Sequence, residues 1–349
     1  MIKYYTRACN FYFGQTSIEK IKKKQSIPLH GNKLISFDTV EILTRKTKKK
    51  ISVKKIKELK GKIKKKLLFD INQIKKKKKF KYLNFSNIPV LMGILNLTPD
   101  SFSDGGKYNK NKKGLSHGKK LIGEGCQILD IGGESTRPGS KTVEPNKEWK
   151  RIFSTLSQVK KMKKIISLDT RKSSVMIKGI KNNVNLINDV SGLQYDPNTI
   201  IVLKKTNIPF VINHTQGNPN TMQKNPKYKN VILDIYDFFD EKIQYIRSKG
   251  IKHNNIILDP GIGFGKNLKH NITLMRNISI FHSLGFPVML GSSRKRFIGD
   301  LSGVNDSKER LGGTISSSLY AMMQGVQILR VHDVNEVNQS IKIFNSLKF

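Results

Sequence analysis

Cysteine is nearly missing from this chain: Cys9 and Cys126 are the two among 349 residues. A disulfide framework is therefore not expected, and a reducing cytoplasm fits better than an oxidising compartment. Long apolar runs are missing as well. A membrane helix needs roughly 18 to 20 consecutive apolar residues, and the longest candidate, 88–97, is interrupted by Gly93 and Asn96. No membrane span is expected. The opening MIKYYTRACNFYFG has no continuous apolar stretch closed by a small-residue cleavage site, so no secretory signal is expected either. Acidic residues are scarce, 25 against 65 Lys and Arg, which gives a formal charge of +40.

That excess would suggest a polyanionic partner if it formed a focused patch. It is concentrated at the front: residues 1–90 hold 26 basic and 5 acidic residues, and the remaining 259 hold 39 and 20. The front portion carries it in runs, Lys48 to Lys50, Lys64 to Lys66 and Lys75 to Lys79, with few aromatics between them to stack on bases. A replacement bias toward Lys, Ile and Asn accounts for much of this without a ligand. Nucleic acid is therefore not the expected partner.

What is present begins near Ile88. From there a short apolar run, a polar or glycine-rich segment and a helix-compatible stretch recur, which signals a parallel α/β fold. Strands are expected at Val90–Leu95, Gln127–Ile131, Ile165–Leu168, Leu186–Asn188, Phe210–Asn213, Ile256–Leu258, Val288–Leu290 and Ile328–Val331. Helices are expected at about 114–124, 146–163, 173–182, 197–206, 231–249, 270–284, 307–324 and 334–346. Eight such units over residues 86–349 match a (β/α)8 TIM barrel. An open doubly wound sheet fits less well, because no G-x-G-x-x-G follows the first strand; Gly261 to Gly265 only resembles one and follows the sixth. Residues 1–85 are expected to be an appended Lys-rich extension with a partly alternating stretch at 34–43 and a basic amphipathic stretch at 53–71.

Polar clusters follow the strands, where barrel enzymes build their sites. The first is 96–106, a long loop suited to a lid, with no regular structure expected before about Gly114; its Asn96 offers an amide oxygen suited to Mg²⁺. The second runs from Asp130 to Gly139, with glycines that admit close backbone approach and Arg137 as a fork for an anion. Asp169, Asn188-Asp189 and Asp259 end later strands, so four acids and an amide converge on one mouth. Without His/Cys spacing, zinc is not expected. The set suits Mg²⁺ or the donor-rich edge of a nitrogen-rich ring, and the acids alone do not distinguish them. Gly291 to Arg296 and Arg330 with His332 supply positive charge where barrels often hold phosphate. A lone His is more often structural than a general base, and the role of Asn213 to Gly217 cannot be derived.

Seven segments together resemble dihydropteroate synthase: GILNLTPDSFSDGG at 93–106, LDIGGESTRPGS at 129–140, LDTRKSSV at 168–175, INDVSG at 187–192, LDPGIGFGKN at 258–267, GSSRKRFIG at 291–299 and LRVHDV at 329–334. The resemblance implies condensation of a dihydropterin pyrophosphate with p-aminobenzoate in folate synthesis, with Mg²⁺ assisting pyrophosphate departure. It also implies closure of the first two loops, a p-aminobenzoate site where sulfonamides would compete, and a homodimer. It places Asn96 near Mg²⁺ and pyrophosphate. Asp130, Asp169, Asn188, Asp259, Phe264 and Lys295 fall in the pterin pocket, Arg330, His332 and Thr136 at the ring and its pyrophosphate, and Thr136 again, with Arg137, Pro138 and Ser293, at the p-aminobenzoate site. Arg137, Lys295, Arg330 and His332 would then be the residues acting in catalysis.

The chain departs from the family's pattern at one cluster. MHMQG or similar is usual there, and this chain has Asn213-His214-Thr215-Gln216-Gly217. A corrinoid-dependent pterin methyltransferase is the nearest rival, but STRPG and SSRK argue against it. An inactive nucleic-acid-binding barrel is the rival from another class, and the retention of all seven segments argues against that.

Overall fold

The computed structural model describes residues 2–77, 79–98, 110–135, 140–217, 222 and 225–348. The first 75 residues fold around a twelve-residue strand. Strand β3 (Asn32–Leu43) pairs antiparallel with β1 (Tyr5–Phe13) on one side and with both β2 (Ile27–Leu29) and β4 (Lys48–Ser52) on the other. Helix α1 (Gly14–Lys22) follows β1, and α2 (Gly61–Lys75) follows a 3₁₀ turn at Val53–Glu58. The core gathers Ile35, Phe37, Val40 and Ile42 of β3 with Leu67, Ile71 and Ile74 of α2. The basic amphipathic stretch expected at 53–71 is thus split, and its apolar stripe packs on a sheet while its lysines stay in solvent.

Eight parallel strands follow: β5 (Val90–Asn96), β6 (Ile128–Gly132), β7 (Ile165–Asp169), β8 (Leu186–Asp189), β9 (Phe210–Asn213), β10 (Ile256–Asp259), β11 (Met289–Leu290) and β12 (Ile328–Val331). Their order is β10-β9-β8-β7-β6-β5-β12-β11, and a Leu258–Val288 bridge joins the two ends. The sheet is a TIM barrel. Several strands run one residue further than the apolar pattern, because the backbone ladder continues through Asn96, Gly132, Asp169 and Asp259.

Helices α3 (Lys110–Gly123), α4 (Pro145–Val159), α5 (Ser173–Lys181), α6 (Thr199–Thr206), α7 (Val231–Ser248), α8 (Leu268–Arg276), α9 (Arg296–Ser302), α10 (Leu311–Met322) and α11 (Val334–Lys348) surround it. Three expected helices are corrected. The one placed at 270–284 breaks at Asn277 into α8 and a 3₁₀ segment, Ile278–Leu284. The one at 307–324 is a short 3₁₀ turn followed by α10, and the one at 146–163 ends in a 3₁₀ turn. Helix α9 was not expected, and α3 starts at Lys110 rather than 114. Apolar periodicity cannot place such breaks, because a 3₁₀ turn buries nearly the same residues as an α turn.

Period two sorts every strand into two faces. Leu91, Leu129, Ile166, Ile187, Phe210, Ile212, Ile256, Leu258 and Leu329 face the helices in the largest core. Val90, Met92, Ile128, Leu186, Val211, Ile257, Met289 and Ile328 face inward and fill the lower half of the barrel. Leu83, with Phe80 and Phe85, packs into that same cluster, so the segment entering β5 closes the floor.

The N-terminal sheet is fastened to the barrel's flank. Tyr5 joins the main core and meets Tyr236 of α7 edge-on at 5.2 Å, while its hydroxyl donates to Asp237. Lys3 pairs with Asp237 and Asp240, and Arg45 pairs with Asp234 and Asp237. Ser279 Oγ donates to the Ala8 carbonyl inside the contact.

Candidate functional site

The inward rows that fill the floor continue upward and become polar. Two residues beyond Ile128 comes Asp130; beyond Leu186, Asn188; beyond Val211, Asn213; beyond Ile257, Asp259; beyond Ile328, Arg330. Asn96 and Asp169 lie four residues beyond Met92 and Ile165. The same alternation that makes a dry floor makes a polar mouth.

Arg330 organises one side. Its Nε donates to Asp130 Oδ2 at 2.6 Å and one Nη to Asp169 Oδ2 at 2.8 Å. Asn188 Nδ2 donates to the same Asp130 oxygen at 3.0 Å. Burial works against charge on Arg330, but Asp130 and Asp169 outweigh it and raise its pKa. Four buried polar oxygens inside the barrel have no hydrogen-bond partner among the described residues: Asp130 Oδ1, Ser167 Oγ, Asn188 Oδ1 and Asn213 Oδ1. They sit on four consecutive strands, β6 to β9. An unsatisfied buried acceptor costs roughly 1–3 kcal/mol, so four such oxygens on neighbouring strands favour a partner that brings hydrogen-bond donors to this mouth.

The opposite side is built by the 259–266 turn. Asp259 Oδ1 accepts the Gly261 N–H at 2.8 Å, and burial raises its carboxyl pKa. Gly261 has φ +69°, and a Cβ there would lie 2.0 Å from the His214 carbonyl oxygen, so only glycine fits. Lys266, fully enclosed, donates to the carbonyls of Gly261 at 2.9 Å and Phe264 at 2.8 Å and reaches His214 Nδ1 at 3.0 Å. Burial lowers it to about 7. Thus tied, the turn presents the Phe264 ring, with Lys295 Nζ 3.9 Å from its centroid. Burial, with repulsion from Arg330, lowers Lys295 to about 8.

Ser293 Oγ accepts the His332 backbone N–H at 3.2 Å and meets His332 Nδ1 at 3.0 Å. If Ser293 gives its own hydrogen to Nδ1, the ring proton falls on Nε2 and His332 is a hydrogen-bond donor; if Nδ1 carries the proton, Ser293 accepts it and Nε2 is an acceptor.

Two expectations are corrected. Asp189 does not join the mouth: its carboxylate accepts from Ser191 N, Ser191 Oγ and Leu193 N, which builds the turn after β8, so the converging acids are three. The basic run after β11 also separates. Arg294 pairs with Asp333 and Arg296 pairs with Asp300 on the surface, leaving Lys295 alone facing the acids. Thr136, Arg137 and Pro138 lie outside the described residues, as does most of the 96–106 loop.

Sequence reasoning missed a buried network beside the mouth. Glu134 accepts from Arg171 Nε and Lys172 Nζ, both at 2.8 Å, and Lys172 also reaches Glu148. Arg171 in turn stacks on Tyr195, 3.9 Å from its ring centroid. Glu134, Arg171, Tyr195 and Phe264 border a largely apolar cavity of about 160 Å³. The signal was present in Glu134, Arg171 and Lys172, charges placed directly after two buried strands.

Comparison with known proteins agrees with this geometry. The model of the family described as pterin binding enzyme matches residues 92–332. The chain belongs to that family. Dihydropteroate synthase of Neisseria meningitidis serogroup B is 41% identical over 264 residues, 74% of this chain and 93% of that one. The structure of Xanthomonas albilineans dihydropteroate synthase with 4-aminobenzoic acid superimposes with a TM-score of 0.71 at 34% identity, covering 76% of this chain and 94% of that one. The Yersinia pestis dihydropteroate synthase, solved in complex with a sulfonamide drug, gives 0.71 at 38% identity, with 76% and 96% covered. This pterin-binding enzyme is therefore a transferase of folate biosynthesis with dihydropteroate synthase activity. No helix among its described residues is long and apolar enough to cross a membrane.

Proposed function

We propose that the barrel mouth binds 6-hydroxymethyl-7,8-dihydropterin pyrophosphate with its ring down against Asp130, Asp169, Asn188 and Asp259, and p-aminobenzoate above it. The observation that carries this is the cluster of oxygens without partners among the described residues, which matches a ring edge of amino and ring N–H donors. Phe264 and the Arg330 guanidinium supply flat faces for the ring. Lys295, beside Phe264, offers its ammonium to the ring's carbonyl or to pyrophosphate.

The reaction breaks the C–O bond between the pterin methylene and pyrophosphate and forms a C–N bond to the arylamine, which then gives up a proton. Departure of the anion is the demanding step, so fixed positive groups matter more than a strong base. His332, protonated on Nε2, donates to that anion without leaving its Ser293 contact. Thr136, Arg137, Pro138 and Ser293 hold p-aminobenzoate, with the Arg137 fork suited to its carboxylate. Mg²⁺ would rest on Asn96 and the pyrophosphate itself. The donor set fits, since Mg²⁺ sites on phosphates need one or two protein oxygens and the described residues hold no cluster of three or more His, Cys, Asp or Glu for a protein-only site. When bound, it neutralises the leaving group's charge. The resemblance also supports a homodimer and a cytoplasmic enzyme.

The test is pyrophosphate release by purified protein given the pterin pyrophosphate and Mg²⁺, with and without p-aminobenzoate, beside Arg137→Ala. Product formation that requires Mg²⁺ and falls in the variant supports these roles. Unchanged p-aminobenzoate KM in Arg137→Ala overturns the second-substrate assignment.

A further inference from the structure

We propose that the outward face of α2 docks this enzyme on an anionic lipid membrane. The inward face is settled by packing: Leu67, Ile71 and Ile74 are buried in the N-terminal core, and α2 rests on β2 and on the Ile278–Leu284 segment of the barrel. Steps of three and four residues then place Lys62, Lys65, Phe69, Asn72 and Lys76 on one exposed stripe, with Leu68 beside Phe69. Leu68 is 48% exposed and Phe69 59% exposed, and Lys66 Nζ lies 5.8 Å from the Phe69 ring centroid. Single exposed apolar residues are ordinary on a protein surface. An adjacent Leu-Phe pair ringed by lysines is a different surface, apolar at its centre and cationic at its rim.

Charge decides the occupant. Residues 53–79 carry thirteen lysines against two acids, Glu58 and Asp70. Asp70 does not weaken the face, because it is buried and accepts from Thr6 Oγ1 at 2.6 Å and from Lys66 Nζ at 2.5 Å. The 3₁₀ turn Val53–Glu58 extends the charge past the start of the helix: Ile56 is buried, Lys54, Lys55 and Lys57 are exposed, and Lys64 Nζ donates to the Lys57 carbonyl, which ties turn to helix. This arrangement matches an anionic bilayer, whose phosphates attract the ammonium groups while its acyl boundary takes the apolar pair. RNA would use the lysines and one ring, and would leave Leu68 without a partner.

The experiment is flotation of the full-length protein with vesicles of phosphatidylcholine alone and of equal parts phosphatidylcholine and phosphatidylglycerol. Wild type is compared with two double variants, Leu68→Ser with Phe69→Ser and Lys62→Gln with Lys65→Gln. Wild type is expected to float with the anionic vesicles only, and less as salt is raised. The lysine variant is expected to partition about thirtyfold more weakly, roughly fivefold for each neutralised charge, and the apolar variant about tenfold more weakly. All four side chains are exposed, so melting temperature and dihydropteroate formation are expected to stay unchanged in both variants. Failure of wild type to float with anionic vesicles overturns the proposal. So does loss in the lysine variant with none in the apolar one, the pattern of a general polyanion surface, as does single-stranded RNA binding that is tighter and follows that same pattern. Self-association that the apolar variant abolishes, without flotation, assigns the face to a second copy instead.

Discussion

Asp130 uses one carboxylate oxygen to hold Arg330 and Asn188, and its other oxygen has no partner among the described residues. One oxygen organises the mouth, and on the proposed binding mode its twin meets the substrate. Asp130→Asn retains the shape but turns a charged acceptor into a neutral amide. Pterin affinity is expected to fall roughly ten- to hundredfold, as for a charge-assisted bond, with little change in melting temperature. Arg330→Met is expected to behave differently, losing about 3–5 kcal/mol of stability because two buried carboxylates lose their cation. Chemical denaturation of both variants checks the contrast.

Lys295 is charged below about pH 8 and neutral above it. If its ammonium holds substrate, kcat/KM falls as pH rises through 8, well below the range where a free lysine titrates. Lys295→Arg remains charged, so its alkaline limb is expected to move above pH 10. A profile with the same limb in both proteins would show that another group titrates.

Lys266 gives a stability prediction of defined sign. Its pKa is about 7 when folded and 10.5 when exposed. Between those values the unfolded chain binds more protons, so stability rises with pH across that window. Lys266→Met lowers overall stability by orphaning the carbonyls of Gly261 and Phe264, yet it is expected to flatten this slope. Urea midpoints at pH 6, 8 and 10 measure it.

Tyr5 links the N-terminal sheet to α7 through both its ring and its hydroxyl. Tyr5→Ala is expected to cost about 3 kcal/mol, in the range of buried aromatic truncations. Starting the chain at residue 89 removes Leu83, Phe80 and Phe85 from the floor, and the expected product is an aggregating barrel rather than a smaller active one. A monodisperse, active truncated protein would contradict this.

The barrel was legible because its strands announce themselves twice, as apolar runs and by the charged or glycine-rich segments that end them. Asp130, Asp169, Asn188, Asp259, Lys295 and Arg330 could be named from sequence because polar residues at the ends of apolar runs are otherwise costly. Asp189 misled for the same reason: adjacent residues on a strand face opposite ways, and its carboxylate serves a turn. The Glu134–Lys172 network was missed because its members lie on different segments, and sequence spacing carries no information about such closure; Lys266 was missed because two of its partners are backbone carbonyls of its own turn, which no side chain announces. Of the N-terminal sheet only β3 showed, as the partly alternating stretch at 34–43; the lysines of β4 and α2 hid the elements that pack with it.

The two-residue rhythm that separates floor, mouth and helix layer also limits how this chain can change. Inserting or deleting one residue inside a barrel strand would swing a carboxylate from the mouth into the apolar layer beneath the helices and bring a leucine into the mouth. Length variation is therefore confined to the connecting loops and the outer helices. Drift toward lysine over those outer surfaces leaves the rhythm untouched, which explains how a chain with a formal charge of +40 retains an acidic pocket at its centre.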